Sequence, residues 1–417
     1  MTQSNYAKMT LSDQAGKATE LTVLEGTIGP SVVDIRRLYN DTGHFTYDPG
    51  YTSTASCSSK ITYIDGEEGV LLHRGYSIEE LATGSTFEET SKLLLDGELP
   101  SRAELQAFER ALASERSLDE QTLAVIRSYP ADVDPMSALR TGVSALGMVD
   151  PDRDDDGAEA TRRKAIRLIA KLPTLVAAFA RSRSGSAPVA PRHDLGHAGN
   201  FLYMLNGEEP DPDDARVMDV CLILHAEHGM NASTFAARVT AATLSDVHSA
   251  VTSAVGTLKG SLHGGANQGV MSMLLEIDAL GIAPADHVRQ MLAAGKKVMG
   301  FGHRVYKTMD PRAPILRRFS KDLGERTDPR WYRMSEEVLA AMRAEKGLDP
   351  NVDFFSASTY YALGIPADLF TPIFAIARVS GWVTHVEAQY AKNRLIRPRA
   401  RYVGKRDLRY TPIADRG

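Results

Sequence analysis

Three histidines of this 417-residue chain stand beside glycine: His263 in GSLHGGANQG, His303 in MGFGHRVYKTMDPRA and His228 in HAEHGMN. Glycine next to a polar side chain lets backbone N–H groups approach a ligand closely. For any one of them a histidine bonded within a turn at a helix end is the plainer account. Two such settings, at 263 and 303, bring a ligand site level with it. Asp353, in LDPNVDFFSASTYYALG, is a lone carboxylate just before an aromatic helix start. It reads either as the N-cap of that helix or, against Phe354 and Phe355, as a partly desolvated general base with a raised pKa. Arg378 is the one formal charge between Leu369 and Val386. In so apolar a stretch a guanidinium needs an anionic partner, either a protein carboxylate or a bound substrate. Arg312 in DPRAP and Arg397 in RLIRPRARY supply two more guanidinium forks, which suit carboxylates. The residues alone therefore point to acid–base chemistry by His and Asp on a carboxylate-rich substrate.

Other chemistries find less support. His225-x-x-His228 and His193-x3-His197 have helical spacing, but no HExxH or Cys/His cluster accompanies them, so no metal is expected. There is no GxxxxGK[ST], and GFGHRV lacks the third glycine of GxGxxG. Cys57 and Cys221 form no CxxC and read as buried thiols in a reducing cytoplasm. With 48 basic and 53 acidic side chains the formal net charge is −5, which offers no polyanion footprint, so nucleic acid is not an expected partner. Nor is a membrane. Leu369 to Val386 contains Pro372, Arg378 and His385 and reads as a buried core helix, while the start MTQSNYAKMTLSDQ lacks the pattern of an export signal. A cytoplasmic protein is expected.

The elements that must position these residues are mainly helical. In the first sixty residues LTVLEGTIG, SVVDIRRLY and HFTYDPGYTST read as short strands and turns, and ITYIDGEEGVLLHRG reads as a hairpin around residues 65–69. From Ser77 onward the apolar period is helical. Helices are predicted from Thr86 to Gly97, from Ser101 through Ala113, from Glu159 with an interruption at Pro173, from Asp211 to Gly229, and after an Asn231 cap. Others are predicted at 246–258, 264–280, 284–298, 312–323, 331–346, 354–363 and 367–392. The acidic loop from Asp150 to Gly157 reads as a solvated connection.

LHGGAN at 262–267, GFGHRVYKTMDPRA at 300–313, NVDF at 351–354, HAEHGMNAS at 225–233 and IRPRARYVG at 396–404 together resemble the citrate synthase family, in the family's order and from about residue 20 to the C-terminus. The resemblance implies a mainly α, two-domain fold: a β-containing N-terminal extension over 1–60, a large helical domain over 61–260 and 368–417, and a small one over 261–367 that closes over oxaloacetate. It implies condensation of acetyl-CoA with oxaloacetate to citrate and CoA, without a tightly bound cofactor or metal, CoA entering as a thioester substrate. Asp353 would be the base, His263 the enolate stabiliser and His303 the activator of the oxaloacetate carbonyl. His228, Arg312 and Arg378 would hold oxaloacetate carboxylates, with Arg397 arriving from a second subunit, which resolves the Arg378 alternatives in favour of substrate. Gly300, Phe301, Gly302 and Lys307 would meet CoA.

The same resemblance implies a homodimer as the minimal unit, with a homohexamer as the larger alternative, because the N-terminal part looks like the larger bacterial enzymes and the C-terminal part like the smaller ones. Arg167 and Lys171 match a basic pair of the NADH-inhibited type, but MLNGEEP stands where its Cys would lie, so weak or missing NADH inhibition is expected. Two alternatives remain: 2-methylcitrate synthase, acting on propionyl-CoA through the same residues, and a non-catalytic di- or tricarboxylate-binding protein. Residues 391–410 hold eight Lys or Arg and one Asp, an anion-facing segment inside an acidic chain.

Overall fold

The computed structural model describes residues 7–417; the first six residues, on which the absence of an export signal was partly read, lie outside them. The described residues form seventeen α-helices and two three-stranded antiparallel sheets. In the first sheet Ala18–Leu24 lies between Lys8–Ser12 and Val32–Val33. In the second, Thr62–Asp65 and Val70–His73 make the expected hairpin and Tyr76–Ser77 adds an edge. HFTYDPGYTST forms no strand. Asp48 instead accepts hydrogen bonds from the Thr52 and Ser53 amides and the Thr54 hydroxyl, so the local backbone is satisfied without a ladder partner.

By contact density the chain separates into two compact units. One gathers the described residues up to Phe108 with Asp211–Gly229 and Ala266–Phe370; the other gathers Glu109–Pro210, Met230–Gly265 and Thr371–Gly417. The three-part division expected from the sequence concerns bodies that move in closure, which contact density does not address.

In the first unit, helices Ala266–Leu280, Pro284–Ala293, Ala313–Arg326, Arg330–Lys346 and Val352–Ala362 pack on one another, and Pro212–His225 packs on Ile78–Gly84 and Phe87–Asp96. Thr86 and Gly97 bound Phe87–Asp96 as the sequence indicates, the Thr86 hydroxyl accepting from the Glu89 amide and Gly97 adopting φ 97°. Pro212–His225 starts at its Asp211 cap but ends at His225, not Gly229, leaving 226–230 irregular. Pro284–Ala293 also stops short of 298, because Gly295 turns left-handed at φ 67°.

In the second unit, Ala158–Arg183 runs unbroken through Pro173, contrary to the expected interruption. Proline removes one helical hydrogen bond at a cost of roughly 3 kcal/mol, and the burial of Leu168, Ile169, Leu172, Leu175 and Val176 around it outweighs that. Glu120–Arg127, Pro135–Val149 and His197–Asn206 are further helices that the periodicity did not single out, although Asp119 and Asp134-Pro135 cap two of them in the usual way. The acidic loop is more than a solvated connection. Asp150, 4% exposed, accepts two bonds from Arg167, while Asp152 receives Arg163 and Arg167, clamping the loop to the helix that follows it. Phe370–Ala391 lies in the core. By length and composition it could cross a membrane, yet its apolar window is wholly buried inside the protein. Cys57 and Cys221 form no disulfide, and of the two only Cys221 is fully buried.

The hairpin docks on the His303 loop within the first unit: the Lys307 amide donates to the Gly66 carbonyl at 2.7 Å, and a Cβ on Gly66 would stand 2.1 Å from the Val305 carbonyl oxygen. Gly66→Ala is therefore expected to destabilise the protein by about 2–3 kcal/mol. Thermal denaturation tests this; an unchanged midpoint would mean that the loop yields without cost.

Candidate functional site

The first unit carries His228, His303, Arg312 and Asp353. His303 lies in the turn after Gly300, whose φ of 83° and close approach to Phe354 and Val270, at 2.8 Å from a would-be Cβ, require glycine. Its Nδ1 accepts hydrogen bonds from the backbone amides of Val305 at 3.0 Å and Tyr306 at 3.1 Å. Amides only donate, so Nδ1 carries no proton and the neutral ring has its hydrogen on Nε2. Burial, aided by the nearby Arg312 charge, pulls the His303 pKa down to about 4. The result is a neutral imidazole with a single aimed donor.

His228 follows the helix end at His225 and is buried. Its Nε2 lies 3.2 Å from the Tyr306 hydroxyl, and its ring meets His303 edge-on at 5.2 Å. His225 Nδ1 lies 2.7 Å from the Cys221 carbonyl of its own helix. Arg312 is 2% exposed and fully committed along one edge: Nε and Nη2 donate to Asp310 at 2.9 and 2.7 Å, while Nη1 reaches the Leu224 carbonyl at 3.4 Å. Asp310 also accepts from the Val352 amide at 3.1 Å. That bond ties Arg312 to the first turn of the helix bearing Asp353.

Asp353 is not the N-cap. Asn351 takes that place, its side chain accepting from the Asp353 amide at 3.0 Å, and Asp353 lies in the first turn with its carboxylate excused from capping. Asn351 also donates its amide to the Gly300 carbonyl and its side-chain nitrogen to the Gly302 carbonyl, both at 2.9 Å. The glycine turn of His303 and the helix start of Asp353 are thus one stitched piece. Fully buried Phe354 and Phe355 follow, with Phe301 packed on Phe354 at 4.6 Å between centroids.

The second unit carries His263, Arg378 and Arg397. His263 sits in the turn closing on Gly264, where a Cβ would lie 2.4 Å from the Leu258 carbonyl oxygen. The Ser233 amide donates to His263 Nε2 at 3.3 Å, so the proton of this neutral ring belongs on Nδ1. Ser233 Oγ lies 2.9 Å from the same nitrogen and accepts from Trp382 Nε1 at 3.1 Å, fixing the imidazole against the buried helix. Burial, then the Arg378 charge, lowers the His263 pKa to about 4. Arg378 is 1% exposed, its guanidinium 4.8 Å over the Phe374 ring one turn earlier. Arg397 lies exposed in the irregular stretch after the last long helix.

The structure therefore joins His228, His303, Arg312 and Asp353 in one unit and His263 with Arg378 in the other, while Arg397 stands in an exposed tail. Gly300 is buried, Phe301 and Gly302 are half-buried, and Lys307 is exposed. Arg167 and Lys171 are engaged by the protein itself, Arg167 by Asp150 and Asp152 and Lys171 by the Ser117 carbonyl. Tyr306, Asp310, Asn351, Ser233 and Trp382 support the site and were not read from the sequence. DPR and NVD held Asp310 and Asn351 in plain view, as a carboxylate two residues from an arginine and a strong N-cap type before a helix.

Comparison with known proteins gives a consistent answer. The family profile "Citrate synthase, C-terminal domain" matches residues 50–399. A citrate synthase of Haloferax volcanii is 51% identical over 88% of this chain and 98% of its own length. The 2-methylcitrate synthase 1 of Corynebacterium glutamicum is 42% identical over 88% of this chain and 98% of its own. Among solved structures, the ternary complex of carboxymethyl coenzyme A and oxaloacetate with citrate synthase from the thermophilic archaeon Thermoplasma acidophilum matches with a TM-score of 0.83 at 31% identity, covering 89% of this chain and all of that one. A profile across most of the sequence, near-complete relatives at about half identity and a shared helical fold agree with the motifs: this chain belongs to the citrate synthase family.

Proposed function

We propose that the chain is a citrate synthase that condenses acetyl-CoA with oxaloacetate and hydrolyses the resulting citryl-CoA to citrate and CoA. The observation that carries this reading at the level of chemistry is the pair of histidines held neutral by backbone amides, each left with one N–H to donate. Asp353 removes a proton from the acetyl methyl group. The oxygen of the thioester then gathers the enolate charge, and His263 Nδ1–H is suited to stabilise it by hydrogen bonding. His303 Nε2–H polarises the ketone of oxaloacetate and gives up its proton as the carbon–carbon bond forms. Water then cleaves the thioester.

The condensation and hydrolysis are redox-neutral overall, so the reading calls for no redox cofactor, and CoA takes part only as thioester and leaving group. His228, Arg312 and Arg378 hold the carboxylates of oxaloacetate, Arg397 joins them from a second copy of the chain, and residues 300–302 with Lys307 receive CoA. The proposal carries with it the closure expected of the family, in which the helical body over 261–367 closes over oxaloacetate. Closure also keeps water from two thioesters until hydrolysis is due. A cytoplasmic homo-oligomer with little response to NADH completes the reading, since Arg167 and Lys171 are already held.

The second reading, 2-methylcitrate synthase, is favoured by the Corynebacterium relative. One methylene in an apolar pocket is worth about 1–3 kcal/mol, so acetyl-CoA is expected to exceed propionyl-CoA in kcat/KM by about 10- to 200-fold. A thiol-release assay with both thioesters decides it; preference for propionyl-CoA moves the chain to the second reading.

Asp353→Ala is expected to lower kcat by about 10³-fold or more while oxaloacetate still binds by calorimetry. Undiminished turnover would remove Asp353 from the chemistry. The pH profile follows from the histidines. Both have folded-state pKa values near 4, below the ordinary value near 6.5, so between about pH 4 and 6.5 the unfolded chain binds more protons. Their contribution to stability is complete above that window and is lost as pH falls through it. Turnover is correspondingly expected to be flat from about pH 6 to 8; an acid limb near pH 6.5 that His303→Gln abolishes would contradict the neutral assignment.

A further inference from the structure

We propose that Gly66, at the tip of the hairpin formed by Thr62–Asp65 and Val70–His73, is a positioning residue for His303: its backbone seats two consecutive peptide planes of the His303 loop and so aims an amide at the imidazole. The inference rests on the reading of His303 as the group that polarises the oxaloacetate ketone.

The tautomer of His303 is set by backbone, since Nδ1 accepts from the amides of Val305 and Tyr306 at 3.0 and 3.1 Å. An amide points where its peptide plane points, because the C–N bond does not rotate freely. The Tyr306 N–H shares its plane with the Val305 carbonyl, and that carbonyl abuts Gly66: a Cβ there would lie 2.1 Å from its oxygen and 2.7 Å from its carbon. In a trans peptide the C=O and N–H point opposite ways, so a carbonyl seated on Gly66 turns its N–H toward His303. The next plane is held as well, its Lys307 N–H donating to the Gly66 carbonyl at 2.7 Å. Gly66 has no left-handed φ, so glycine is required there by the space the carbonyl takes and not by backbone freedom. The tip that carries Gly66 is itself braced. Asp65 Oδ1 accepts from the Glu67 and Glu68 amides at 3.0 and 3.1 Å, Oδ2 accepts from the Tyr63 hydroxyl at 3.1 Å, and Asp65 pairs with Val70 at the end of the ladder. A turn read from the sequence only as a hairpin thereby becomes the seat of a catalytic loop far along the chain.

Two variants separate this role from plain stability. Gly66→Ala puts a methyl group against the Val305 carbonyl and must turn its plane; Asp65→Ala adds no atom near the loop and only loosens the tip. Measured per folded molecule, kcat is expected to fall about tenfold in the first and about fivefold in the second, as misaimed catalytic groups imply. The KM for oxaloacetate should stay within about twofold, because Arg312 is held by Asp310 and not by the hairpin. Difference infrared spectra of bound oxaloacetate, labelled with ¹³C at the ketone, read the His303 bond directly: hydrogen bonding lowers the stretching frequency, and both variants should return the band toward that of free oxaloacetate. Lost stability alone would leave the band where the parent has it. Should Gly66→Ala fail to fold, Asp65→Ala carries both readouts. A band at the parent's position, or a kcat within twofold of the parent, in the folded variants would overturn the role of Gly66. A parent that releases no thiol would instead remove the citrate synthase reading itself, and this inference with it.

Discussion

The part of the first unit that carries Arg312 and Asp353 hangs on one buried carboxylate. Asp310 accepts from the Arg312 side chain along a full edge, from the Arg312 amide, and from the Val352 amide at the start of the Asp353 helix. Breaking a buried pair of this kind by removing one partner typically costs 3–5 kcal/mol, since the other charge is left stranded. Burial alone would push the Asp310 pKa up, but the Arg312 charge and hydrogen bonds outweigh it and hold the carboxyl below its ordinary value. The pair therefore stays ionised. Arg312 keeps one edge occupied and its orientation set, which is the preorganisation that binding a small dianion needs.

Asn351 completes the frame from the other side. By capping the helix with its oxygen while gripping Gly300 and Gly302 through its two nitrogens, it makes the turn of His303 and the start of the Asp353 helix move together. In the proposed roles of Asp353 and His303, a base and the group that activates its electrophile must keep their separation within a fraction of an ångström to act in sequence. Holding both on one stitched segment achieves this with short-range bonds. The histidines add electrostatics to that geometry. An imidazolium could donate as well, but it would bring a full charge next to arginines that are already committed; backbone amides and burial keep the rings neutral, as the downward shifts at His263 and His303 record.

The sequence made the ends of this machinery legible and left its middle obscure. Glycine beside histidine signalled the turns at 263 and 303, and the structure shows why: a Cβ at Gly264 or Gly300 would strike a carbonyl or a phenylalanine. The lone Arg378 in an apolar run was visible for the same reason that it is buried. Of the two readings of Asp353 the N-cap one was two residues off, because Asn and Asp are both strong caps and only geometry tells which carbonyl oxygen faces the first amides. Supports such as Tyr306 and Ser233 were invisible, since a tyrosine after a valine or a serine after an alanine announces nothing until the fold brings a ring nitrogen to it. Pro173 misled for the opposite reason: local propensity argued for a break and tertiary burial prevailed.

The proposed roles place His228, His303, Arg312 and the assigned base Asp353 in the first unit, and the assigned enolate stabiliser His263 with Arg378 in the second. Under that proposal oxaloacetate would be gripped by His228 and Arg312 and polarised by His303, groups that all lie in the first unit. In the proposed mechanism the acetyl thioester would become acidic enough to deprotonate only with His263 donating to its oxygen, because an unstabilised enolate is far more basic than a carboxylate. Proton abstraction under that proposal would require Asp353 and His263 to act on the same thioester at once.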